Sequence, residues 1–246
     1  MLKNELQKIM FLDIETVPQT SDFSELPGEL AHLWEDKYAI IQKRMPEKYN
    51  EETTAAEAFN NSAGIYSEFG NIVCISVGFI HYQGNEMNFR TKSFSGNDEK
   101  QLLSDFLLLI VKFCTTKEQT LCGHNIKEFD IPYICRRILI NGLHLPPIFQ
   151  ISGKKPWEIN FIDTLELWKF GDYKNYTALK LLTAVFGIPT PKDDIDGSQV
   201  AHVFYKENNI ERISLYCQKD VLATAQVFLR LNGLDLIKSE NIQFLQ

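Results

Sequence analysis

The chain has 246 residues, of which 44% are hydrophobic and 23% charged, with a formal net charge of −7. This length can bury a core without disulfides or a structural metal, as one large domain or one domain carrying a sizeable insertion. The longest apolar run, Phe106 to Val111, falls far short of the roughly 20 residues that cross a bilayer.

The apolar stretch Ile9 to Leu12 is stopped by Asp13, too early for a secretory signal. A cytoplasmic location without a membrane partner is therefore expected. The five cysteines, Cys74, Cys114, Cys122, Cys135 and Cys217, are widely spaced and form no Cys-x-x-Cys pair. They read as reduced thiols, several of them core residues, and Cys122 with His124 offers too few ligands for a zinc site. The negative charge is local. Residues 17–70 hold ten acidic and four basic side chains, whereas residues 71–246 hold nineteen of each.

Along the chain, Lys8 to Ile14 is short and apolar and ends in charge, as a buried strand does. The texture then changes. Residues 18–70 carry Pro18, Pro27, Gly28 and Pro46, a helical stretch over about 29–44 and an acidic stretch over 51–59. This segment reads as a helical insertion or lid. Residues 71–80 and 86–94 predict adjacent strands turned at Gln83-Gly84-Asn85. Leu102, Phe106, Leu109, Ile110 and Phe113 predict a helix over 98–113. A short strand at 120–122 leads through Gly-His-Asn to a helix over about 131–140, opened by Pro132 and stopped by Asn141-Gly142. Residues 160–164 predict a strand, 176–186 and 198–205 shorter helices, and 210–231 a long one. Asp193, Asp194 and Asp196, between the shorter helices, read as turn residues. This order implies an α/β fold, a mixed sheet flanked by helices.

Three short motifs carry chemistry. Asp13 and Glu15, two apart on a strand, project to one face. Paired anions there call for a cation, although the triplet alone also fits a solvated strand end. Asp130 follows Asn125 and Phe129 at the mouth of a helix, where it would serve equally as a cap. Tyr216 and Asp220, four apart on the last helix, share a face, as would a core aromatic with a surface acid.

As an ordered set the three resemble the exonuclease motifs of the DEDD superfamily in its tyrosine-bearing DEDDy branch. The similarity is greatest to the proofreading domain of family B DNA polymerases and to stand-alone proteins related to it. It covers residues 8–16 and 71–232. The histidine-bearing branch would need a histidine where Leu215 stands.

The resemblance implies an RNase H-like fold, a five-stranded mixed sheet, as a single exonuclease domain over 1–246 with the acidic insertion at about 18–70. It implies 3′–5′ release of nucleotides from single-stranded DNA ends by two ions, Mg²⁺ or Mn²⁺, held by Asp13, Glu15, Asp130 and Asp220. Tyr216 would orient the attacking water, and Thr16, Asn125 and Phe129 would lie near the substrate strand, with a core role equally open for Phe129. Holding phosphates through cations also lessens the need for basic surface. Asp163 reads more readily as a cap than as a fifth ligand, and Lys154, Lys155 and Trp157 as a solvated loop. The chain ends soon after the third motif, so action alone or in trans is expected. The competing readings are an exoribonuclease of the same fold, a non-catalytic nucleic-acid-binding module, and an unrelated carboxylate hydrolase such as a glycosidase, which would leave Tyr216 unexplained.

Overall fold

A computed structural model describes residues 3–172, 176–189 and 195–245. A short helix α1 (Lys3–Leu6) precedes the central strand β1 (Ile9–Pro18). Helices α2 (Gly28–Arg44) and α3 (Ala55–Ser62) follow, then the hairpin β2 (Gly70–Gln83) and β3 (Glu86–Ser95). Next come α4 (Glu99–Phe113), β4 (Thr120–Gly123), α5 (Asp130–Ile140), β5 (Ile162–Asp163), α6 (Thr164–Lys169) and α7 (Leu179–Val185). The chain closes with α8 (Val200–His202), α9 (Ile210–Leu231) and β6 (Ile242–Leu245).

The strands form one mixed sheet in the order β5-β4-β1-β2-β3-β6. β1 is antiparallel to β2 and parallel to β4. Its sequence is nearly all apolar because both faces are covered. Met10, Leu12 and Ile14 pack with Phe106 of α4 and Ile134 of α5, while Phe11 faces Phe228 of α9 on the other side. Gly84, at φ 60°, makes the hairpin turn that a side chain would strain. No helix among the described residues is long and apolar enough to cross a membrane.

The five anticipated strands are all present, and three details differ from the pattern reading. β6 adds a sixth strand, parallel to β3 at the sheet's edge. Its four residues carry too short a pattern to read, and distant partners hold it, among them Gln218 Nε2, which donates to the Leu245 carbonyl at 2.8 Å. β5 shrinks to two residues because Asp163, paired with Gly123 in the ladder, is also the cap of α6, accepting from the Leu165 N–H at 2.9 Å, so the helix begins at once. α7 starts only at Leu179, since the His124 ring holds the Thr177 carbonyl in an extended lead-in. Of the aspartates read as turn residues, Asp196 accepts from the Ser198 N–H and hydroxyl at 2.9 and 2.5 Å; Asp193 and Asp194 lie outside the described residues.

The segment between β1 and β2 builds a small core of its own around Trp34, with Tyr38, Tyr49, Phe59 and Phe69. The polar ends of these rings are satisfied locally: Trp34 Nε1 donates to the Ala55 carbonyl and the Tyr38 hydroxyl to the Thr53 carbonyl, both at 2.7 Å. Tyr133 of α5 ties this layer to the sheet by donating to the Gly64 carbonyl at 2.7 Å.

α5 is pinned from beneath by Arg137. Its guanidinium donates to both Glu99 carboxylate oxygens at 2.8 and 2.5 Å, to the Ser67 carbonyl at 2.9 Å and to Asn71 Oδ1 at 2.8 Å. Replacing Arg137 with alanine would leave the Glu99 carboxylate buried without its countercharge. The expected loss is about 3–5 kcal/mol, read as a lower urea midpoint; an unchanged midpoint would contradict this account.

Candidate active site

β1 supplies the first two acids. Asp13 and Glu15 stand opposite Ser76 and Cys74 of β2 and project from the face that carries α9. The pairing of β1 with β4 stops at Phe11 and Cys122, which opens the edge of β1 beyond that point. There the Ile14 N–H donates to the Asp130 carboxylate. Past Glu15 the register with β2 shifts, with Val73 as the extra residue, and the Thr16 hydroxyl reaches the Tyr133 oxygen on the face opposite the acids.

Asp130 is the first residue of α5 and does not cap it; Phe129 holds the cap position and makes no capping side-chain bond. The loop before it owes its shape to Asp163, which is 3% exposed. Its carboxylate accepts from the backbone N–H groups of Asn125 at 2.9 Å and Lys127 at 3.2 Å, besides that of Leu165. Asn125 takes a left-handed backbone at φ 63°, a conformation asparagine tolerates. Asp163 is thus a clamp, with its oxygens spent on the backbone. Asp163→Ala would strip three amides of their acceptor, at about 3 kcal/mol in total. We expect a lower melting temperature together with weaker Mn²⁺ binding by calorimetry; retention of full Mn²⁺ affinity would show that the clamp does not place Asp130.

The long helix α9 brings Tyr216 and Asp220 to the same place. They are four residues apart, so they stack on one face, and the Tyr216 hydroxyl donates to the Asp220 carboxylate. Cys217, next to Tyr216, donates its thiol to the Asp13 carbonyl and to Asp13 Oδ2, both at 3.4 Å. Ligand atoms of Asp13, Glu15 and Cys217 lie within 4.8 Å of one another.

The electrostatics follow from this crowding. Burial, then the charges of Asp130 and Asp220, hold Asp13 well above the ordinary carboxylate range. Burial, then Asp13 and Asp220, do the same to Glu15. Burial pushes Asp130 up to about 7, against the opposing hydrogen bonds from the backbone of Asp130 and Ile14. The Tyr216 phenol is raised by burial and then by Asp220, so it stays protonated at neutral pH. Among the described residues no lysine or arginine pairs with Asp13, Glu15 or Asp130. Four carboxylates, Glu15 and Asp130 buried and Asp13 and Asp220 partly so, crowd one another and fit a hard divalent cation in chemistry and in charge.

Of the residues expected near a substrate, Thr16 and Asn125 are partly exposed, one following Glu15 on β1 and the other in the loop before Asp130. Phe129 leans on the core, with its ring 5.5 Å from that of Tyr133. Pattern reading missed two residues. Cys217 was taken as one of several core thiols, and nothing in its neighbours marks it otherwise. Tyr176, read from pattern as the start of a helix, stands in the extended lead-in before α7, where its ring edges His124 at 6.2 Å. Its phenol is raised by partial burial and then by the charges of Asp130, Asp163 and Asp13, although the residue is 65% exposed. The Lys154–Trp157 loop lies elsewhere. Trp157 is 78% exposed, and the groove of about 740 Å³ that Lys154 lines contains none of the acids.

An acid cluster at the end of the central strand of this sheet is the mark of the RNase H-like exonucleases. The chain belongs to the family of predicted 3′-5′ exonucleases related to the exonuclease domain of PolB, whose model matches residues 65–240. The Asp13 and Glu15 motif lies before that match. Among solved structures, the family B DNA polymerase from the hyperthermophilic archaeon Pyrobaculum calidifontis has a similar fold, with a TM-score of 0.52 at 13% identity. The similarity covers 90% of this chain and 24% of the polymerase, so the chain spans about a quarter of that protein's length. No curated protein matches in sequence.

Proposed function

We propose that the protein removes nucleotides one at a time from the 3′ ends of single-stranded DNA, with Mg²⁺ or Mn²⁺ held by Asp13, Glu15, Asp130 and Asp220. The observation that carries this reading is the convergence of these acids and Tyr216 from β1, α5 and α9 into one crowded cluster. When bound, two such ions would activate a water and stabilise the leaving 3′ oxygen of the displacement.

The protein's own groups do the rest. Asp13, Glu15, Asp130 and Asp220 set where the cations sit. Tyr216, protonated and anchored to Asp220, orients the water by hydrogen bonding and is too weak an acid to serve as its base. Thr16 and Asn125 border the terminal nucleotide, and Phe129 offers the exposed part of its ring. A single strand is the favoured substrate because a paired terminus must first be frayed, at a few kcal/mol. The domain is the whole described chain, with the segment between β1 and β2 as an insertion.

The test is digestion of 5′-labelled single-stranded DNA beside the same sequence as RNA, with Mg²⁺ or Mn²⁺ and with chelator. The expected result is a ladder shortening from the 3′ end of the DNA, absent with chelator. Faster loss of RNA would move the reading to an exoribonuclease, and intact substrate in Mn²⁺ to a binding module.

A further inference from the structure

The all-oxygen reading of the site gives Cys217 no part, yet its sulfur stands inside the cluster. The helical turn that aims Tyr216 and Asp220 at the acids also places the thiol 3.4 Å from Asp13 Oδ2 and within 4.8 Å of a Glu15 oxygen. A second observation points to a ligand here. Glu15 is 8% exposed, and no described residue donates a hydrogen bond to its carboxylate. Buried carboxylates are ordinarily paired, hydrogen-bonded or bound to metal.

The spacing bears on which kind of ion the sulfur would accept. Around a tetrahedral ion with bonds of about 2.3 Å to sulfur and about 2.0 Å to oxygen, those two ligand atoms are about 3.5 Å apart. The Cys217–Asp13 separation already matches that edge. Right angles, as around an octahedral ion, would bring the same two atoms to about 3.0 Å, and Mg²⁺ selects oxygen ligands in any case. Thiolates favour Zn²⁺ and its softer relatives.

We infer that Asp13, Glu15 and Cys217 form a site for a thiophilic divalent ion, Zn²⁺ or Cd²⁺, with the Cys217 sulfur as a direct ligand and the fourth position left to water. Binding forms the metal–sulfur bond and releases the thiol proton to solvent. The inference rests on the proposed function only in one respect: the soft ion excludes Mg²⁺ or Mn²⁺ from the Asp13–Glu15 side of the cluster. Zinc is then an inhibitor of this exonuclease, and the sulfur is what makes it a tight one.

The experiment titrates Cd²⁺ into the reduced full chain and follows sulfur-to-cadmium charge-transfer absorption in the ultraviolet. Wild type should show the band, saturating at one ion per chain, and Zn²⁺, which has no such band, should displace it. Cys217→Ser should lose the band and bind Cd²⁺ about 100-fold more weakly, the upper end of what even indirect partners of a metal contribute. Cys74→Ser, which removes the neighbouring buried thiol, should keep it. A wild-type titration without the band, or a band that Zn²⁺ cannot displace, overturns the inference without any variant. So does a band surviving in Cys217→Ser. Failure of the proposed function would look different, as intact DNA in Mn²⁺ while the cadmium band is present.

Discussion

Asp13→Asn is expected to slow metal-dependent digestion about 10³-fold and, in chelator, to raise the melting temperature. Both effects have one cause. Asp13 is a half-buried carboxylate held above its ordinary range by desolvation and by Asp130 and Asp220, so its charge opposes folding whenever no cation is present. Asparagine keeps the shape and can still accept from the Cys217 thiol, but it removes the charge. Relief of that kind at a functional site is worth about 1 kcal/mol, or about 2–4 °C in a chain of this size. The same substitution removes a ligand of cations that supply several kcal/mol to the transition state; about 4 kcal/mol corresponds to the 10³-fold loss. Digestion kinetics and scanning fluorimetry on the two proteins check both halves. Normal digestion by the variant would remove Asp13 from the site, and a lower melting temperature in chelator would mean that its charge is already compensated.

The second large effect is a gain in stability on adding metal that grows with pH. In the folded protein Asp130 titrates at about 7, against an ordinary value of 3.8, and Asp13 and Glu15 shift in the same direction. Between the unfolded and folded values the native state holds protons that the unfolded chain has released. The slope of unfolding free energy with pH is therefore negative over that window. This contribution is fully present below the ordinary carboxylate range and is lost as pH rises through about 7. Bound cations reverse the pattern, because they require the ionised carboxylates and compete with protons. At about 100 times its dissociation constant, Mn²⁺ adds about 2.7 kcal/mol, a rise of about 5–10 °C. We expect that rise near pH 8 and a much smaller one near pH 5, measured by melting curves in chelator and in Mn²⁺. A gain independent of pH would mean that the metal binds somewhere other than these acids.

Local order determined much of the architecture in advance. The apolar run into Asp13, the hairpin broken at Gly84 and the amphipathic stretch of α9 are each specified by neighbours within a few residues, and periodicity reports them directly. The spacing of Tyr216 and Asp220, and of Asp13 and Glu15, also belongs to single elements, so each pair's shared face was legible. Tertiary structure decided what depends on contacts far apart in the chain. β6 exists because β3 offers it an edge, and β5 is cut short because Asp163 is drawn to the amides of Asn125 and Lys127. The sulfur of Cys217 lies against Asp13, 204 residues away, and the ring of Tyr176 edges that of His124 from the loop after β4. Such placements are set by how α9 and the loops pack across the sheet, and no local pattern records a packing angle.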